Sequence, residues 1–163
     1  MYTYAHTVEK FIPAPPEKVF AVLSDVAHHD KLAGSGEVKS IRVLTPGDVH
    51  VGTEWEADKE ITVGKQTDKF IAKSVVKEYD EPTVMSWTST PPIPPIPRRI
   101  QWWYHLTPEQ GGTRVSEHVE VDFGGAKNLL MKVPYQMMRA PAVAAGMKRT
   151  LDNLAEKASA TSD

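Results

Sequence analysis

The stretch Val8–Asp25, VEKFIPAPPEKVFAVLSD, decides how this chain is read. A β-branched and aromatic run (Val8, Phe11, Ile12) stops at Pro13-Ala14-Pro15-Pro16, and a helical pattern starts at once. Proline suits the first turn of a helix, where its missing N–H would be unpaired anyway, and Glu17 complements the positive helix end. Val19, Phe20, Val22 and Leu23 then share one face at helical spacing. A strand running straight into a helix, ahead of a remainder that reads as sheet, predicts an α+β fold built around a pocket.

Working outward, VAHHDKLAGSG (26–36) reads as one or two helical turns ending at Gly34 and Gly36. From Glu37 the pattern changes to period two. Two strands are expected around a turn at Thr45-Pro46-Gly47-Asp48, then a long strand Thr67–Tyr79 and another at Thr83–Ser89. Thr90–Arg99, TPPIPPIPRR, cannot be a central strand because its prolines donate no ladder hydrogen bonds, and reads as a polyproline-like connection. Arg99–Leu106 and Thr113–Phe123 form a hairpin over Pro108–Gly112. Ala126–Ala158 is helical, with breaks or kinks expected at Pro134 and Pro141. Beyond Pro141, Ala144, Met147, Leu151, Leu154 and Ala158 make one apolar face. Residues 1–158 therefore read as a single domain, and 159–163 as a disordered tail.

The chain has 163 residues, no cysteine and a net charge of -2. Absent thiols exclude disulfides, thiolate metal sites and Cys nucleophiles. The near-neutral charge gives no electrostatic footprint for nucleic acid. With no apolar run of about 18 residues and no basic-then-apolar opening, a soluble cytoplasmic protein without stable membrane insertion is expected. His28 and His29 are adjacent and would point about 100° apart on a helix. His105 and His118 share the outer face of one hairpin and lack the further ligands that zinc needs, so no metal site is expected. No nucleophile elbow, phosphate loop or dinucleotide fingerprint occurs.

Four segments in order, IPAPPEKVFAVLSD (12–25), VGTEWE (51–56), VVKEYDEPTVMSW (75–87) and WYHLTPEQGGTRVSEHVEV (103–121), together resemble the START-like (SRPBCC) superfamily, within it the polyketide cyclase/dehydrase-like group. The resemblance runs from about Val8 to Leu154. It implies a helix-grip fold, a curved antiparallel sheet of about six to seven strands around a long C-terminal helix, with two short helices after the first strand and a ligand cavity between sheet and helix. It implies no cofactor. Two departures stand out: His28-His29 occupies the place where many relatives carry Trp, and the Pro-rich loop 90–98 is longer than a tight hairpin.

Strand alternation assigns the faces. Val115, Glu117, Val119, Val121 and Phe123 are predicted inward, as are Ile100, Trp102, Tyr104 and Leu106 across the hairpin. Trp55, Ala57 and Lys59 share one face of an earlier strand, and Phe70, Met85 and Trp87 are also placed inward. The candidate ligand contacts are thus Trp55, Phe70, Met85, Trp87, Trp102, Tyr104 and Val119 from the sheet, with Met137, Met147 and Leu151 from the helical segment. Glu117, Tyr104 and Lys59 are the candidate catalytic groups. A buried carboxylate must neutralise or find a partner, so Glu117 either pairs with Lys59, Arg98 or Tyr104, or reaches solvent at the pocket mouth, or serves as a carboxyl of raised pKa.

Three functions fit. The first is binding of a small hydrophobic molecule, aromatic, polyketide-like or lipid/isoprenoid-like. The second is a polyketide cyclase or dehydratase using acid/base groups in the cavity. The third is an interaction module of the chaperone-activator type, with a homodimer or protein partner on the convex face around Trp103. The sequence leaves open whether the protein is an enzyme.

Overall fold

The computed structural model describes residues 2–92 and 97–160. Strand β1 (Tyr4–Ile12) is followed by α1 (Pro16–Ser24), a 3-10 turn at Val26–His28 and the short α2 (His29–Leu32). Strands β2 (Val38–Val43), β3 (Glu54–Val63), β4 (Gln66–Asp80), β5 (Val84–Thr90), β6 (Arg99–Glu109) and β7 (Gly112–Asp122) follow, then α3 (Ala126–Met138) and α4 (Ala140–Ala160). All seven strands join one antiparallel sheet in the order β1-β7-β6-β5-β4-β3-β2. This is the helix-grip α+β fold.

The opening strand-to-helix stretch makes the main core. Pro16 sits in the first turn of α1, with Glu17 beside it. Val19, Phe20 and Leu23 are buried against Leu151, Leu154 and Ala158 of α4 and against Ile12, Leu106 and Val115 of the sheet. A second cluster gathers Val119, Val121, Phe123 and Met147, with Tyr135 and Val143 packed against it. The cavity described below lies between α3, α4 and the sheet.

The chain meets itself closely where the loop after α2 crosses α4. Gly34 N–H donates to Thr150 Oγ1 at 2.9 Å, and Arg149 Nε donates to Gly34 O at 2.6 Å. A Cβ added at Gly34 would lie 2.5 Å from both Gly146 O and Thr150 N, backbone atoms that cannot rotate away. Gly34→Ala is therefore expected to lower stability by about 2 kcal/mol, seen as a reduced urea midpoint at unchanged m-value.

Several expectations are corrected. Pro134 lies inside α3 without ending it. The lost bond falls on an exposed part of the helix (Leu130 is 74% exposed), where water can take the freed carbonyl. The break comes instead at Arg139, and Pro141 occupies the first turn of α4, where its missing N–H costs nothing. The turn between β6 and β7 is shorter than the five residues expected, because pairing continues to Glu109↔Gly112 and leaves only Gln110 and Gly111, the latter at φ +84°. The helix α4 continues through Ser159 to Ala160; residues 161–163 of the expected tail, and residues 93–96 of the polyproline-like segment, lie outside the described residues. No helix among the described residues is long and apolar enough to cross a membrane.

Candidate functional site: a cavity with two polar poles

Between the sheet and helices α3 and α4 lies a cavity of about 420 Å3. Of the residues proposed from sequence, Trp55, Lys59, Phe70, Trp87, Trp102, Tyr104, Glu117, Val119 and Met147 line it. Three do not. Met85 and Leu151 are buried in the closed core around Phe20 and do not reach the cavity. Met137 faces solvent, 76% exposed. On α3 the inward residues are Met131, Pro134, Tyr135 and Met138, a helical stripe that leaves Met137 on the opposite side.

The inner pole is an aromatic cage. Trp87 stacks on Tyr104 with ring centroids 5.3 Å apart and planes within 13°, and Trp55 meets Trp87 edge-on at 5.8 Å. His29 contacts both indoles, at 5.5 and 5.2 Å. Its Nε2 donates to the Leu23 carbonyl at 2.7 Å, which fixes the tautomer and leaves Nδ1 as an acceptor. Burial holds the His29 pKa below its usual value, against the opposing pull of the Leu23 carbonyl and of Asp25 and Asp30. The neighbouring His28 instead points outward and pairs with Asp25 at 2.7 Å.

Beside the cage, Tyr104 Oη donates to Glu117 Oε1 at 2.7 Å, across the register pair Tyr104↔Glu117. Of the partners considered for Glu117, this is the one formed; Arg98 goes to Asp122 instead, at 2.6 Å. Glu117 is 1% exposed, and its Oε2 has no partner among the described residues. Burial pushes the carboxyl up to about 8, and the Tyr104 hydrogen bond only partly offsets this. Burial and the adjacent Glu117 likewise hold the Tyr104 phenol far above its usual value. Near neutral pH the pair is therefore an uncharged phenol and a protonated carboxyl. Because Oε1 already accepts, the carboxyl proton belongs on Oε2, free to donate to a guest.

The outer pole is charged. Arg139, in the break between α3 and α4, grips Glu37 with both guanidinium nitrogens, at 2.8 and 3.2 Å. Lys59, from β3, lines the same end. Burial lowers its pKa; Glu37 opposes that effect and Arg139 adds to it. Tyr135, next to this pair, is raised to about 12, chiefly by burial.

Sequence reasoning did not place His29 in the site, where it is buried, and did not find the Glu37–Arg139 pair. The histidine had a usable cue, its place after the first helix where relatives carry an aromatic. The ion pair had none, because its members are 102 residues apart and each looks like an ordinary surface charge. On the convex face, Trp103 is half-buried, with His118 at 5.6 Å and the Arg99 guanidinium 5.8 Å from its ring.

The comparisons agree with this architecture. The family described as polyketide cyclase / dehydrase and lipid transport matches residues 5–159. A crystal structure of TTHA0849 from Thermus thermophilus superposes at a TM-score of 0.65 and 21% identity, covering 98% of this chain and all of the other. The di-domain ARO/CYC protein StfQ, from the steffimycin biosynthetic pathway, gives a TM-score of 0.71 at 10% identity, over 96% of this chain and half of that one. Ara h 8.0201 gives 0.64 at 15% identity, over 97% and 99% of the two chains. No curated protein matches significantly. At such identities the structures speak for the fold alone, but the family match spans nearly the whole length, so the chain belongs to the polyketide cyclase/dehydrase and lipid transport family of the START-like superfamily.

Proposed function

We propose that this protein binds a small, largely apolar molecule, aromatic, polyketide-like or isoprenoid-like, in the space between its sheet and its two C-terminal helices. One observation carries the reading: an unfilled cavity of about 420 Å3 lined by aromatic and aliphatic side chains with few polar groups. That volume falls within the range of small-molecule sites, and the composition matches theirs. The family's description, which names lipid transport, and its structural likeness to an ARO/CYC protein support the same reading. An interaction module working from its convex face would have no need of an open interior.

The neutral fluorophore N-phenyl-1-naphthylamine tests it. It is expected to bind one-to-one, with quenching of the indole emission from Trp55, Trp87 and Trp102, which line the cavity. Val119→Trp, which places an indole inside the cavity, is expected to weaken binding at least about tenfold, in line with the cost of overpacking. Far-ultraviolet circular dichroism checks that this variant folds. Absence of saturable binding to the unmodified protein would remove the carrier reading.

A cyclase or dehydratase is the second reading, favoured by the Glu117–Tyr104 pair. A carboxyl titrating at about 8, with its free oxygen in a lined cavity, is suited to general acid/base work near neutral pH. Turnover of a poly-β-ketone substrate that disappears in Glu117→Gln, while N-phenyl-1-naphthylamine binding persists, would favour it over a carrier.

A further inference from the structure

The outer pole holds two cations, Arg139 and Lys59, and two carboxylates, Glu37 and Asp68, but of the two cations only Arg139 touches a carboxylate among the described residues. Glu37 is committed to Arg139, whose two nitrogens occupy both of its oxygens. Asp68, the other carboxylate at this end, accepts from Gln66 Nε2 at 3.0 Å. Lys59 has no hydrogen-bond or ion-pair partner among the described residues, although it lines the cavity and stands on a strand whose other lysine contacts are paired: Lys69 with Glu60 and Lys73 with Glu54. Lys59 is half-buried, so its ammonium has given up part of its hydration without a direct partner, which is costly. A residue that carries this cost in the empty protein can recover it when a guest brings the counter-charge.

The geometry also sets the length of such a guest. Lys59 lies four residues along β3 from Trp55 of the aromatic cage, about 13 Å at strand rise. The neutral carboxyl of Glu117 lies beyond the cage, on β7. The cavity is therefore polarised, with a cation at one end, an apolar aromatic middle and an uncharged donor at the other.

We propose that the ligand is an amphiphilic acid, whose carboxylate seats on Lys59 and whose apolar body runs past Trp55 and Trp87 toward Glu117. The inference rests on the carrier reading and adds to it the ligand's charge and direction. Lys59 then acts in binding and orientation, while Arg139 stays bound to Glu37.

Displacement of N-phenyl-1-naphthylamine at pH 7 by two matched pairs, decanoate against decanol and 2-naphthoate against 2-naphthylmethanol, tests this on the full chain. Each acid is expected to bind about tenfold or more tightly than its alcohol, the size of one hydrogen-bonded charge pair. Lys59→Met is expected to abolish the preference and keep the alcohols' affinity, while Lys59→Arg retains it. Lys69→Met, which removes a cation 76% exposed on the same hairpin, is expected to leave the preference intact. Acids and alcohols that bind alike would overturn the inference and leave the carrier reading standing. Acid preference undiminished in Lys59→Met would also overturn it. Failure of the fluorophore itself to bind would remove both.

Discussion

Glu117→Gln is expected to stabilise the protein by about 3 kcal/mol at pH 8.5 and to change its stability by less than about 1 kcal/mol at pH 5. In the folded chain the carboxyl titrates at about 8, against an ordinary value of 4.5. The folded state therefore holds a proton that the unfolded state releases once the pH exceeds 4.5. Stability associated with this group is complete below that point and drains away as the pH climbs to about 8, after which both states are ionised. Glutamine mimics the protonated carboxyl at every pH: its oxygen can still accept from Tyr104, and its amide takes the place of the donor on Oε2. Urea unfolding at the two pH values measures the effect. Equal gains at both, or a loss at pH 8.5, would show that the carboxyl is not held neutral.

Asp122→Ala is expected to cost about 2 to 3 kcal/mol, the scale of hydrogen bonds lost to a buried carboxylate, since Arg98 is 73% exposed and returns to water. The Asp122 carboxylate, 5% exposed, accepts from Asn128 Nδ2 and Gly124 N–H, each at 2.7 Å, and from Arg98 Nη2 at 2.6 Å. Asn128 in turn accepts from Phe123 N–H and from Thr3 Oγ1, each at 2.8 Å. The cluster thus ties the end of β7 to the first turn of α3, the helix that roofs the cavity. Its removal should loosen α3 before it unfolds the sheet, so weaker fluorophore binding should accompany the loss of stability. The donors, Asn128 first and then Arg98, hold the carboxylate at about 2. Because this value is depressed, its stabilisation is present above about 4 and is lost as the pH falls through about 2. Together with Glu117, it gives a stability maximum on the acid side of neutrality.

The inward face of the sheet was legible because period two leaves little choice: in β7 three valines, Val115, Val119 and Val121, share a side with Glu117 and alternate with Arg114, Ser116, His118 and Glu120, and one register makes them the concave wall. The fold followed from the same alternation and from the abrupt change of period at Pro13–Pro16. Helical positions were harder. A helix turn fixes a face only once its start is known, and the break at Arg139 rather than at Pro134 turned Met137 outward and brought Met131, Tyr135 and Met138 to the cavity. Met85 points inward as alternation requires, but it lies where α1 and α4 close on the sheet, so inward there means core. Alternation tells concave from convex and says nothing about which part of the concave face a helix covers. Long-range polar partners such as Glu37 with Arg139 carry no local pattern at all.

Of the seven described strands, the earliest made is also the one that waits longest. Residues of β1 find their strand partners in β7, from Tyr4↔Val121 to Ile12↔Thr113, and β7 is made after the other described strands. Throughout translation the nascent chain must carry this segment with its backbone donors and acceptors unsatisfied, an invitation to stray pairing with other chains. The alternation of exposed Ala5, Thr7 and Glu9 with half-buried Tyr4, His6 and Val8 keeps one side of that waiting strand hydrophilic.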